Sequence, residues 1–143
     1  WLYNNKNVKI TVETAINAPI EKVWEAFNNP EANKVWNSGE DNWHTTKVEI
    51  DLTAGGRFRY RMEAKDGSAG FDFTGIYTEV EPQARIAYTI EDGREVETVF
   101  TEEKDGVQVK TTFDPENENS PEVQKEGWQN ILNNLKKYVE GSK

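Results

Sequence analysis

Residues 120–141, S-P-E-V-Q-K-E-G-W-Q-N-I-L-N-N-L-K-K-Y-V-E-G, carry the helical pattern that decides the fold. Ser120 can cap the N-terminus, Pro121 suits the first helical position, and Gly141 is a natural C-terminal stop. One face of the predicted helix is apolar, whereas Lys, Glu, Asn and Gln occupy the opposite face. The apolar face consists of Trp128, Ile131, Leu132, Leu135, Tyr138 and Val139. Because no other long helix is predicted, this face is expected to lie on a sheet.

The composition indicates one globular domain over residues 1–143. Seventeen basic and 26 acidic side chains give a net charge of −9, which argues against a nucleic-acid partner or an anionic membrane. We find no apolar run of about 18 residues and no signal-peptide pattern, so a cytoplasmic protein without membrane insertion is expected. Trp1 is an unusual natural start, and whether residues precede it stays open. The absence of cysteine excludes disulfides, thiolate nucleophiles and cysteine-based zinc sites.

Short elements are predicted before the long helix. Alternating apolar residues predict a strand at 8–16. Pro19 begins a short helix, and Asn29 can cap a second one. Residues 37–43 are predicted to form a polar loop, and only strands are predicted from 44 to 113. The order of elements is therefore one strand, two short helices, a long antiparallel meander and a final helix.

The register of the first hairpin follows from side-chain parity, because a slip by one residue would turn the apolar groups outward. Matching the apolar faces pairs Ile50 with Tyr60 across a turn that contains Gly55-Gly56. On the outer face this register sets two acidic side chains opposite two arginines: Asp51–Arg59 and Glu49–Arg61. The basic stripe could bind an anion or belong to a salt-bridged outer face, and the register favours the second interpretation. The stripe consists of Arg57, Arg59 and Arg61.

The same rule applies to the later hairpins. Asp66-Gly67 and Asp105-Gly106 are typical hairpin turns. At residues 91–93 the burial pattern favours a three-residue loop, with Gly93 at positive φ, over a two-residue turn. The expected pairs are Tyr60–Phe73, Arg61–Asp72, Tyr88–Val96 and Phe100–Thr111.

A curved antiparallel sheet of about seven strands, with two short helices after strand 1 and a long closing helix, is an α+β helix-grip arrangement. Four motifs resemble the START-like (SRPBCC) superfamily: A-P-I-E-K-V-W-E-A-F-N-N-P-E at 18–31, A-G-G-R-F at 54–58, G-I-Y-T-E-V-E-P at 75–82 and G-W-Q-N-I-L at 127–132. They are most similar to the branch named after the activator of the heat-shock-protein-ninety ATPase. The resemblance runs from about Val8 to the C-terminus. It implies an apolar cavity between the sheet and the last helix.

The inner face of the predicted sheet is rich in aromatic residues, which is consistent with such a cavity. Rings and a thioether make an adaptable apolar wall, although the same side chains can instead fill a solid core. Gln124 either faces the sheet or is solvated in the first helical turn. The cavity is expected between residues 36–44 and the N-terminal half of the final helix, with the loop 37–43 as a lid. The candidate ligand-binding residues are Trp36, Trp43, His44, Tyr60, Met62, Phe73, Tyr88, Phe100, Phe113, Gln124 and Trp128.

His44 is the one histidine of the chain and the weak candidate for a catalytic residue. With Asp41 nearby in sequence it could serve as a general base, or it could be structural. A metal site needs three or four ligands, so neither a metal nor another cofactor is expected.

The superfamily includes lipid carriers, hormone receptors, polyketide cyclase-like enzymes and proteins of no known activity, so the fold does not determine the function. Three hypotheses follow. The first is a small-molecule binding protein whose ligand is lipid-like or aromatic. The second is a cavity enzyme of the polyketide cyclase or dehydratase type, with His44, Tyr60 or Tyr88 as acid or base. The third, implied by the name of the branch, is a partner that stimulates a chaperone ATPase.

Overall fold

The computed structural model describes residues 9–37, 42–116 and 119–141, and it has the predicted α+β helix-grip architecture. Seven strands form one antiparallel sheet in the order β1-β7-β6-β5-β4-β3-β2. Val8, predicted to begin the first strand, lies outside the described residues. The elements are β1 Ile10–Ile16, α1 Ile20–Asn28, α2 Pro30–Trp36, β2 Trp43–Ile50, β3 Arg57–Ala64, β4 Gly70–Glu81, β5 Arg85–Ile90, β6 Glu95–Glu103, β7 Gly106–Phe113 and α3 Pro121–Gly141.

Helix α3 lies on the sheet with the predicted apolar face inward. Its first turn is capped by Ser120, whose Oγ accepts a hydrogen bond of 3.3 Å from the Val123 N–H. Leu132, Leu135 and Val139 are buried in the core, while Trp128, Ile131 and Tyr138 are partly buried against it. None of the helices in the described ranges combines the length and apolarity needed to cross a lipid bilayer.

The two short helices form a compact corner between β1 and β2. The Asn29 side chain caps α2 by accepting hydrogen bonds from two N–H groups of its first turn. Trp36 donates from Nε1 to the Ala26 carbonyl at 2.9 Å, which joins α2 to α1. Asn33 is fully buried and donates to the carbonyl of Phe27 at 3.0 Å. These side-chain hydrogen bonds satisfy backbone groups at the ends of the two short helices, which have no partners within the helices themselves.

Two of the hairpin registers are confirmed. Tyr60 pairs with Phe73 and Arg61 with Asp72 between β3 and β4. Between β5 and β6, Tyr88 pairs with Val96. Gly93 has a φ of 96°, as the three-residue loop requires. Burial of the apolar face therefore determined the register at this loop, as expected.

The predicted register of β2 and β3 is wrong by two residues. Ile50 pairs with Phe58 rather than with Tyr60, and Glu49 lies opposite Arg59. Neither Asp51–Arg59 nor Glu49–Arg61 is a cross-strand pair. Parity is kept, so the arginines still face outward.

The cause of this difference is the loop between the two strands, which also bonds to a third strand. Asp51 N–H donates to the Arg57 carbonyl, which closes a loop over residues 52–56. Within that loop Gly55 has a φ of 89°, and its N–H donates to the Tyr77 carbonyl at 2.7 Å. The Tyr77 N–H in turn donates to Gly56. Pairing with β4 thus fixes where the turn lies, and parity alone does not contain that information.

The register of β6 and β7 is also shifted by two residues from the prediction. Phe100 pairs with Val109 instead of Thr111. Gly106 does not sit in the turn but begins β7, where it pairs with Glu103. A Cβ on Gly106 would meet the Ile16 carbonyl oxygen at 2.1 Å, so the glycine is needed for close approach to β1.

The outer face of β2–β4 is salt-bridged as predicted, but among the predicted pairs only Arg61–Asp72 forms. Arg59 lies 3.7 Å from the Asp72 carboxylate and 3.9 Å from that of Glu49. Arg61 lies 3.5 Å from Asp72 and 3.0 Å from Glu63. The salt-bridged interpretation therefore holds for both arginines, although each exposed pair contributes only about 0–1 kcal/mol.

Candidate ligand-binding pocket

A cavity of about 220 Å³ lies between the inner face of the sheet and α3. Its walls come from the ends of α1 and α2, from strands β3 to β7 and from the N-terminal and middle turns of α3. The side chains are mostly aromatic or aliphatic. The lining residues are Phe27, Asn28, Trp36, Asn37, Phe58, Tyr60, Met62, Phe71, Phe73, Tyr77, Ile86, Tyr88, Thr98, Thr111, Trp128, Ile131 and Leu132.

The structure brings six of the sequence-predicted site residues together in this pocket. They are Trp36, Tyr60, Met62, Phe73, Tyr88 and Trp128. Sequence reasoning missed two important wall residues, Phe58 and Tyr77. Both share the inward parity of their neighbours on β3 and β4, so the alternation that selected Tyr60 and Phe73 also contained the signal for them.

The predicted wall needs correction at Phe100 and Phe113, which do not line the pocket. Phe100 packs edge-on against Trp24 and Phe27, each with ring centroids 5.2 Å apart. Phe113 is fully buried and stacks on Trp128 at 4.3 Å. Phe100 therefore fills the layer beneath α1, and Phe113 supports a wall residue from behind.

Gln124 is also absent from the pocket wall. It is 9 % exposed, and its side chain bonds to the segment before α3. Its Oε1 accepts from the Glu116 N–H at 2.8 Å, and its Nε2 donates to the carbonyls of Glu116 and Asn119 at 3.0 and 2.8 Å. The side chain therefore closes the connection between β7 and α3. It is neither solvated nor directed at a ligand.

His44 and Trp43 lie on β2 and likewise do not line the pocket. His44 pairs with Glu63 on β3, and alternation places its side chain on the face opposite to that of the buried Thr45. The Trp43 ring contacts Phe71 at 5.7 Å. Residues 38–41 of the predicted lid lie outside the described residues.

The polar end of the pocket is a cluster of three tyrosines around Phe58. The ring of Phe58 lies 5.4 Å from that of Tyr60, 5.3 Å from Tyr77 and 4.7 Å from Tyr88. All three tyrosines line the pocket. Burial raises the pKa of all three phenols, so they remain protonated at neutral pH.

The other polar side chains of the wall are engaged within the protein. The Thr98 and Thr111 hydroxyls hydrogen-bond to each other at 2.9 Å. Asn28 donates to the Trp24 carbonyl at 3.0 Å, and Asn37 donates to Asn33 Oδ1 at 3.1 Å. Among the described lining residues there is no Lys, Arg, His, Asp or Glu. Within the described ranges no group of three or more His, Asp or Glu side chains is arranged to hold a metal ion.

A curved sheet that grips a long C-terminal helix, with an apolar pocket between them, defines a helix-grip domain of the START-like superfamily. The model of the Activator of Hsp90 ATPase homolog 1-like protein family matches residues 17–140, and the chain belongs to that family. No curated protein matches the chain.

Two solved structures share this fold at high identity. The AHSA1-like protein from Aeromonas hydrophila is 48 % identical, with a TM-score of 0.89, and the match covers 94 % of each chain. Chr148 from Cytophaga hutchinsonii is 45 % identical, with a TM-score of 0.82, and the match covers 97 % of this chain and 94 % of that one.

Proposed function

We propose that the protein binds a neutral, compact aromatic molecule in the pocket between the sheet and α3. The observation that carries the proposal is the wall itself, which is aromatic on several sides and whose described residues include no ionisable group other than the neutral tyrosines. Pockets of this kind, apolar with a few polar groups at one end, are typical small-molecule sites.

The volume favours an aromatic ligand over a lipid-like one. An apolar cavity of about 150 Å³ accommodates benzene. At the same cavity volume per carbon atom of the ligand, 220 Å³ holds about nine carbon atoms, which corresponds to one substituted ring. A long acyl chain exceeds that space. The aromatic wall also offers edge-to-face and offset-stacked contacts, which favour a ring by about 0.5–1.5 kcal/mol for each pair.

The electrostatics favour a neutral ligand. Transferring a carboxylate or a phosphate into an apolar pocket costs several kcal/mol unless a cation compensates it. The described wall offers neither Lys nor Arg for that purpose. Fatty acids and other anions should therefore bind far more weakly than neutral analogues of the same shape.

The enzyme hypothesis has less support than binding. Its proposed base, His44, lies on β2 outside the pocket. The phenols of Tyr60 and Tyr88 have raised pKa values because they are buried, so they are poor bases at neutral pH. The chaperone hypothesis rests on the family description alone, and a specific structural feature supports the pocket instead.

The test is thermal denaturation with matched ligands: toluene, benzoate and palmitate. A ligand at about ten times its Kd stabilises by about 1.4 kcal/mol, which raises the Tm of a chain of this size by about 5 °C. Toluene should produce such a shift, whereas benzoate and palmitate should not. A larger shift with palmitate than with toluene would overturn the proposal.

Two variants establish where binding occurs. Met62→Trp places a larger side chain in the pocket wall and should abolish the toluene shift. Val35→Trp adds the same ring on α2, where Val35 is 69 % exposed and does not line the pocket, and should leave the shift intact. Equal shifts in the two variants would place toluene elsewhere on the protein.

A further inference from the structure

The tyrosine cluster suggests which kind of ring the pocket selects, an inference that rests on the proposed function. Tyr60, Tyr77 and Tyr88 stand on three adjacent strands, β3, β4 and β5, and all line the pocket. Tyr77 and Tyr88 are direct cross-strand partners. Their rings pack on Phe58, which is 3 % exposed. The phenols are thus held on strands of the sheet, with little freedom to leave this end of the pocket.

Each of the three phenols carries one hydroxyl hydrogen that it can donate and an oxygen that can accept. Burial raises the pKa of all three, so each keeps its hydrogen at neutral pH. Two phenols that bond to each other leave one of their two hydrogens over. A polar ligand atom at this end of the pocket therefore meets neutral O–H donors.

The other polar groups of the wall each have a protein partner. The Thr98–Thr111 bond joins β6 to β7, and Asn28 and Asn37 each donate one hydrogen bond, to α1 and α2 respectively. The tyrosine end differs in bringing three hydroxyl groups together. Those donors are neutral O–H groups in an apolar surrounding, where a hydrogen bond gains strength from the low local dielectric.

We infer that the phenols of Tyr60, Tyr77 and Tyr88 together determine specificity, by selecting ring compounds that carry an uncharged hydrogen-bond acceptor, such as an aryl ketone. The ring occupies the aromatic part of the pocket, and the carbonyl oxygen accepts from the tyrosine end. No proton is transferred. The protein discriminates between ligands of one shape by whether they accept this bond.

Acetophenone and α-methylstyrene provide the test, because they differ only in C=O against C=CH₂ at the same position. Affinities are measured by calorimetry or NMR titration. Replacing Tyr77 with Phe should weaken acetophenone binding by about 3- to 10-fold, the typical value of one neutral hydrogen bond. Binding of α-methylstyrene should change less than twofold. Tyr60→Phe and Tyr88→Phe should show the same selectivity.

Tyr138→Phe is the matched control, since Tyr138 lies on α3, is partly buried and does not line the pocket. It should leave both affinities unchanged. If Tyr77→Phe and Tyr88→Phe weaken both ligands equally, or neither, the inference is overturned while the proposed function stands. If the unmodified protein binds neither compound, the proposed function fails and the inference with it.

Discussion

The two halves of α3 pack differently on the same sheet. In the C-terminal half, Leu135 and Val139 are completely buried and do not border the pocket. In the preceding part, Trp128, Ile131 and Leu132 face the 220 Å³ cavity. A single helix therefore closes one end of the domain and leaves the other end hollow. The difference comes from which side chains face the sheet, since the backbone is helical throughout.

The closed half is also bonded to the edge of the sheet. Lys136 Nζ donates to the Ala15 carbonyl at 2.6 Å, and the Glu140 carboxylate accepts from the Asn17 N–H at 2.9 Å. Side chains of α3 thus occupy backbone groups in and directly after edge strand β1, where another strand could otherwise pair. Gln129 bonds to the backbone of Glu13 on β1, so the half that borders the cavity is also held at the same edge.

The largest effect is expected for Leu135→Ala. Truncating a fully buried leucine that has no neighbouring void should lower the free energy of unfolding by about 3–4 kcal/mol. Leu132→Ala is the matched control, because Leu132 lies three residues earlier and its side chain already borders the cavity. Its loss should be about 2 kcal/mol, since part of the surroundings of Leu132 is empty. Urea denaturation measures both. Equal losses would show that the two halves are packed alike.

An intermediate effect is expected for Trp128→Ala. The ring stacks on Phe113 on one side and faces the pocket on the other. Its removal should cost about 2 kcal/mol, below the roughly 3–5 kcal/mol of a ring enclosed by core. Trp24 offers the comparison, because it packs edge-on against Phe100 and does not line the pocket. A Trp128→Ala loss larger than that of Trp24→Ala would contradict a hollow N-terminal half.

Local signals in the sequence were sufficient for the elements of the fold. The Ser120 and Asn29 caps begin the helices where they were expected. Alternation identified the inward face of every described strand. The two register errors arose where a third strand intervenes: Tyr77 bonds the β2–β3 loop, and Ile16 crowds Gly106. Contacts of that kind join segments distant in sequence, so hairpin rules do not include them.

The site was harder to predict than the fold, because parity predicts which face of the sheet a side chain lies on but not which side chains it contacts there. Tyr60 and Phe100 both point inward, yet one lines the pocket and the other lies beneath α1. Phe113 points inward and is covered by Trp128. The position of the short helices above the sheet decides which inward residues remain uncovered, and their placement depends on packing across the whole domain.

The smallest effect is expected for Gln124→Leu, which tests how the open half of α3 is held. The substitution keeps the size of the side chain but removes its bonds to Glu116 and Asn119. The loss should be about 1 kcal/mol, because buried backbone groups lose their partners while nearby water replaces some of them.

Gln129→Leu serves as the control on the same helix. Gln129 also bonds a backbone segment, at Glu13 on β1, but at an exposed site where water substitutes readily, so its loss should be under about 0.5 kcal/mol. Hydrogen exchange adds a second measurement. If Gln124 fastens the connection before α3, its variant should speed exchange of the Glu116 amide and of the first turn of α3, and leave the Leu135 region unchanged. Faster exchange along the entire helix would mean that the two halves open together. The distinction between a closed half and a half that borders the pocket would then be wrong.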